Sequence, residues 1–257
     1  MIRYIRLPFS FDAPQMQREV HAIAGRWISH FNREVYEGGW TGIPLRSPEG
    51  EKDTIYTVTK PSQQFRDTEY LAQSPYLKAL LGQFRCDIKT ARLLKLAKGA
   101  VIKEHRDVGL NFERGEARMH VPIVTHPDLE FFLDGDRLHL AEGECWYINA
   151  NLPHRVNNPT NVDRIHLVFD CVVNDWLIHL FSKPQGVRPV IISVPPVQTA
   201  SRGQPSDRGS RRRPKKEARE GHNRRKVSGR PARDADSTPR RSRHSGAPAG
   251  GKTKPRG

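Results

Sequence analysis

The chain has 257 residues and a formal net charge of +15, from 43 Lys and Arg against 28 Asp and Glu. The excess is local: residues 201–257 carry 19 basic and 5 acidic residues, residues 1–200 carry 24 and 23, so the body is close to neutral. Three scattered cysteines, Cys86, Cys145 and Cys171, exclude a disulfide framework and a zinc ribbon.

No apolar run reaches the roughly 18–20 residues of a membrane span. The opening MIRYIRLPFSFD lacks the apolar core and small-residue site of a signal peptide. A soluble, cytoplasmic protein with no membrane partner is expected.

Along the chain, Val20, Ile23, Ala24, Trp27, Ile28 and Phe31 recur at three- and four-residue intervals. That periodicity predicts a helix over 14–36, stopped by Gly38-Gly39. An extended stretch follows around residues 55–58. Ser74-Pro75 opens a short helix ending near Gly82, since Ser at the cap and Pro in the first turn favour a start.

From Asp87 the texture becomes short strands and tight turns. Residues 88–96 form a strand before the Lys98-Gly99 turn, and 119–124 form another. Residues 129–140 read as a hairpin about Asp134-Gly135. Glu142-Gly143-Glu144 turns into a strand over 145–148, and 149–159 is a loop. Residues 164–173 alternate, with Ile165, Leu167 and Phe169 on one face and His166, Val168 and Asp170 on the other. Strands at about ten-residue spacing predict a β-sandwich or barrel behind N-terminal helices. A proline-containing exit spans 184–196.

The domain is expected over 1–198 and a tail over 199–257. From residue 201 the tail has no aromatic residue, and Val227 is its only Val, Ile, Leu or Met. It cannot bury enough apolar surface to offset the entropy of ordering and reads as disordered. Its basic clusters, 211–216, 224–226 and 240–243, suit phosphates of nucleic acid or another polyanion. A solubilising appendage is the alternative.

Nine histidines lie in the body. His21, His30, His126, His139 and His179 have no polar company in the sequence that suggests a role. His105-Arg106-Asp107 is different, because residues i and i+2 of an extended chain project together and can meet at one ion. A surface link between imidazole and carboxylate is the alternative. His154, 49 residues downstream, supplies the distant third ligand that a two-histidine, one-carboxylate Fe(II) triad needs. Ten residues further, Arg164 heads the alternating strand with a fork matched to a carboxylate, unless an internal Asp or Glu pairs with it.

These motifs, together with Arg118-Met119-His120, Gly143-Glu144-Cys145-Trp146 and Arg164-Ile165-His166-Leu167, resemble the aspartyl/asparaginyl β-hydroxylase family over roughly residues 40–175. That family comprises Fe(II)- and 2-oxoglutarate-dependent dioxygenases and includes bacterial hydroxylases of free proline. The resemblance implies a double-stranded β-helix, or cupin-like jelly roll. It implies His105, Asp107 and His154 as iron ligands and Arg164 as anchor of the distal carboxylate of 2-oxoglutarate. It also implies that Arg118 and His120 reach the near carboxylate or the substrate. Asp107 puts the chain nearer the bacterial members, because the vertebrate enzymes lack that acidic ligand. The implied reaction consumes O2 and converts 2-oxoglutarate to succinate while hydroxylating an amino acid or an Asp, Asn or Pro side chain of a peptide or protein. The contrasting reading is a non-catalytic jelly-roll module associated with nucleic acid through its tail.

Overall fold

The computed structural model describes residues 1–23, 25–56 and 63–182, and the backbone of 190–191. The tail, the boundary at residue 198 and most of the 184–196 exit lie outside the described residues, as do positions 57 and 58 of the expected extended stretch. Among the described residues no helix is long and apolar enough to cross a membrane.

In chain order the strands are β1 (Tyr4–Ser10), β2 (Ile28–Ser29), β3 (Tyr36–Glu37), β4 (Trp40–Pro48), β5 (Phe65–Asp67), β6 (Ile88–Leu96) and β7 (Val101–His105). They continue with β8 (Glu116–Val124), β9 (Glu130–Leu133), β10 (Asp136–Leu138), β11 (Glu144–Ile148), β12 (His154–Asn157), β13 (Arg164–Val172) and β14 (Val190–Ile191). Helices α1 (Ala13–Ala22), α2 (Glu69–Ala72), α3 (Pro75–Leu81) and α4 (Asp175–Ser182) complete the set. The large sheet runs β14-β1-β11-β8-β13-β6-β4-β2, with β5 beside β4. The small sheet runs β10-β9-β12-β7-β3. Two facing sheets with these crossing connections make the double-stranded β-helix, the expected jelly roll.

Alternation along β13 sorts side chains between two cores. Ile165, Leu167 and Phe169 join Leu93, Met119, Leu80 and Leu177 in a core between the large sheet and the helices. Val168 joins Leu96, Ile102, Phe131 and Val156 between the two sheets. Arg164, His166 and Asp170 share the face of Val168 and are buried too. A polar strip thus enters the space between the sheets.

Two turns show backbone necessity. Asp134 and Gly135 have φ of 49° and 87°, the left-handed pair that closes a two-residue hairpin. At Gly143 a Cβ would lie 2.4 Å from the Phe11 carbonyl oxygen, where Phe11 N donates to the Gly143 carbonyl at 2.8 Å. Any side chain there would separate β1 from β11.

The expected helix over 14–36 is shorter than its periodicity suggests. It ends at Ala22, Ile23 is extended, and Ile28 pairs with Gly42 at the sheet edge. A Cβ at Gly25 would meet Ile23, Tyr70 and Ile43 side chains at 3.0–3.3 Å. The backbone therefore runs too close to the sheet for a helical cylinder, and β-favouring Trp27 and Ile28 follow it. Tertiary packing overrides the local period.

The start of α3 also differs in its chemistry. Ser74 occupies the cap position, but its hydroxyl donates to the Tyr70 carbonyl at 3.0 Å. The acceptors come from Glu19 of α1, whose two oxygens receive Tyr76 N at 2.7 Å and Leu77 N at 3.0 Å. A carboxylate there satisfies two orphan N–H groups and faces the positive end of the helix. Glu19→Ala should strand both donors and cost about 1–3 kcal/mol, read as a lower urea midpoint at unchanged slope.

Candidate active site

Between the sheets lies a cavity of about 440 Å³, within the roughly 300–1,000 Å³ range of small-molecule sites. His105 ends β7 and His154 begins β12, and the two are register partners in the small sheet. Their ring centroids are 4.2 Å apart. Asp107 is fixed two residues on by its own N–H, which donates to the Ala150 carbonyl at 2.8 Å. The structure thus brings the three expected ligands together, with one donor atom from each lying within 4.8 Å of the others.

Backbone carbonyls set the tautomers. Nδ1 of His105 lies 2.8 Å from the Lys103 oxygen, and Nδ1 of His154 lies 2.9 Å from the Leu152 oxygen. A carbonyl only accepts, so each Nδ1 carries the proton and each Nε2 keeps its lone pair. This is how ligating histidines are oriented. Burial, then the neighbouring His105, pushes His154 down to about 4, so its lone pair is available at neutral pH.

Behind Asp107 sits a charge network. Arg118 of β8 donates through Nη1 to Asp107 Oδ2. It also donates through Nε and Nη2 to Asp170 of β13 at 2.7 and 2.9 Å. Asp170 further accepts from Arg92 Nη2 at 3.1 Å and Thr90 Oγ1 at 3.0 Å, both on β6. Burial works against the Asp170 carboxylate, but Arg118 and Arg92 outweigh it and hold the group well below the ordinary carboxylate range. Asp107 also ends below its ordinary value, burial being outweighed by Arg118, His154 and His105.

Arg118, expected at the cofactor, is therefore engaged with two carboxylates of the protein. His120 is buried beside Phe131, with Nδ1 unpartnered among the described residues. Arg164 contrasts with Arg118. It is 3% exposed and forms no ion pair among the described residues, so the internal Asp or Glu partner is not found there. Its Nη2 donates to His166 Nδ1 at 2.8 Å, and its Nε has no partner among the described residues. Burial lowers it to about 9, which leaves a cation at neutral pH.

Sequence reasoning missed Arg92 and the partnering of Asp170. The alternation Arg92, Leu94, Leu96 carried a signal, since a single arginine on an otherwise apolar strand face calls for a buried partner. It also discounted His30, which lines the cavity. His30 stacks 3.6 Å from Trp40 and 4.4 Å from Phe31, and burial pushes it down to about 4.

The family model for aspartyl/asparaginyl β-hydroxylase matches residues 11–173. The chain belongs to the aspartyl/asparaginyl β-hydroxylase family. Among its relatives, L-proline cis-4-hydroxylase of Rhizobium meliloti (strain 1021) is 24% identical over 164 residues, 62% of this chain and 57% of that one. L-proline cis-3-hydroxylase 1 of a Streptomyces species is 31% identical over 143 residues, 53% and 48% of the two chains. The chain spans about half the length of the curated relatives it matches. A solved oxidoreductase of the 2OG-Fe(II) oxygenase family from Burkholderia pseudomallei superposes with TM-score 0.46 at 16% identity, covering 67% of this chain and 88% of that one.

Asp170→Asn should weaken the hold on Arg92 and Arg118 and cost about 3–5 kcal/mol at neutral pH, as breaking a buried pair does. The folded carboxyl keeps its charge to lower pH than the unfolded one, whose value is about 3.9. Its stabilisation is complete above that value and is lost as pH falls toward the folded one. Urea titrations from pH 7 to 3 should therefore show a steeper acid loss in the wild type than in Asp170→Asn.

Proposed function

We propose that this chain is an Fe(II)- and 2-oxoglutarate-dependent hydroxylase acting on an amino-acid-type small molecule. The observation that carries this reading is the buried Arg164, a cation with no carboxylate partner among the described residues, lining the same cavity as a histidine–aspartate–histidine cluster. An isolated buried charge is costly, and a dicarboxylate co-substrate would supply the missing partner. The proline hydroxylases among its relatives support a small amino-acid-type molecule over a protein side chain. A purely binding module would have no use for this combination.

His105, Asp107 and His154 would hold the ferrous ion on one face, and Arg164 the distal carboxylate of 2-oxoglutarate. Bound there, metal and co-substrate supply O2 activation, with 2-oxoglutarate ending as succinate and CO2. The protein's own residues do the positioning. Lys103 and Leu152 carbonyls keep the protons of His105 and His154 on Nδ1, and so aim both Nε2 lone pairs at one point. Arg118 holds Asp107 Oδ2 and directs Oδ1 toward the histidines, 3.8 Å from His105 Nε2. His166 accepts from Arg164 and keeps its fork from turning. Trp40, Phe131 and Val168 give the cavity an apolar wall.

His154→Ala should abolish Fe(II) binding in calorimetry together with succinate formation; near-normal turnover at limiting iron would remove His154 from the ligand set. Arg164→Ala should lose about 2–5 kcal/mol of co-substrate binding, a rise of tens-fold or more in the 2-oxoglutarate requirement, with iron binding retained. An unchanged requirement in a folded variant would confine Arg164 to structure.

A further inference from the structure

The cavity is unevenly charged. Four guanidinium groups line it, those of Arg92, Arg106, Arg118 and Arg164, and among the described lining residues Asp107 is the only acid. Asp170 lies beneath, with both oxygens bonded to Arg92, Arg118 and Thr90. Arginine does not give up its charge in proteins, so four positive charges meet two negative ones. A ferrous ion and a 2-oxoglutarate dianion cancel each other, and the excess of two would survive their binding. The undescribed body segments cannot supply a counter-charge, because 57–62 and 183–200 contain no Asp or Glu.

The excess has an accessible end. Arg106 stands at the mouth between His105 and Asp107, exposed, and its guanidinium makes only a long contact of 3.4 Å with the Asn151 carbonyl. Apolar surface flanks it at the same mouth. Phe31 is 51% and Val108 84% exposed, an unusual disposition for large apolar side chains at a cavity rim. Phe31 is braced by His30 on one side and by Tyr56, 4.5 Å away, on the other. A cationic fork beside an apolar wall suits a carboxylate on an apolar ring or chain. Among the described lining residues no free carboxylate is offered to an ammonium, since the one acid, Asp107, is already bound by Arg118.

We propose that Arg106 is a specificity-determining residue that binds the substrate's carboxylate, and that the site favours substrates whose nitrogen is uncharged over zwitterions and cations. The proposal rests on the hydroxylase reading and sharpens its substrate class to apolar carboxylates, N-acylated amino acids among them.

Full-length protein loaded with Zn(II), which performs no redox chemistry, and 2-oxoglutarate provides the test. Calorimetry would compare three probes with one ring: N-acetyl-L-proline, L-proline and L-prolinamide. The anion should bind more tightly than the zwitterion and at least tenfold more tightly than the cation. Arg106→Gln should weaken N-acetyl-L-proline tenfold or more, and the charge reversal Arg106→Glu should invert the order of anion and cation. An inversion cannot come from misfolding. Equal or tighter binding of L-proline or of prolinamide, no binding of N-acetyl-L-proline, or an unchanged order in Arg106→Glu would overturn the proposal. Failure of the Zn(II)-loaded protein to take up 2-oxoglutarate would instead overturn the hydroxylase reading, and this proposal with it. A site that binds 2-oxoglutarate but not the acid probes would sink only the specificity.

Discussion

The arrangement depends on Asp170 and the two arginines it holds. A carboxylate buried on β13 would be destabilising by itself, and so would the guanidinium groups of Arg92 and Arg118 on the strands to either side. Set together with Thr90, the three charges satisfy one another across β6, β13 and β8. One Arg118 nitrogen is left free to reach Asp107. The position of the candidate metal carboxylate is thereby passed from the middle of the large sheet to a loop beyond the small one. Desolvation largely offsets the Coulomb gain in such networks, so its value lies in where it holds Asp107 more than in net stability.

Arg118 and Arg164 show how little a residue type reveals without its surroundings. Both are arginines on the inner face of the large sheet and both are buried. One has two carboxylates, which raise its pKa against the effect of burial; the other has, among the described residues, only a neutral histidine acceptor, and burial lowers it. The first is a cation satisfied by the protein's own carboxylates, and the second has no carboxylate partner among the described residues.

Much of this was legible in the chain. The strand limits over 88–96 and around Asp134-Gly135 follow from alternation and turn chemistry, both local in sequence. So did the meeting of His105 with Asp107, which needs only the two-residue repeat of an extended chain. What stayed hidden depends on pairings between distant positions. Nothing local to Asp170 shows that Arg92 and Arg118 flank it, since partnership across strands appears only with the register. Nothing near Glu19 shows that it caps a helix 57 residues away. The first helix was overread because a sheet edge can reproduce a helical spacing of apolar residues over two turns. His30 was passed over because its company, Trp40 and Arg92, arrives from other strands.

The Arg118–Asp107 bond has a mechanical side. Arg118 belongs to the large sheet, while Asp107 follows directly from a strand of the small one, so the bond ties the two walls of the cavity together near its open end. Prising the sheets apart like a clam shell would have to break that charge pair, whose Arg118 end is itself held by Asp170. Traffic into the cavity must then use the hinges of individual side chains. Val108 and Arg106 stand exposed at the rim and can swing aside while the walls stay still.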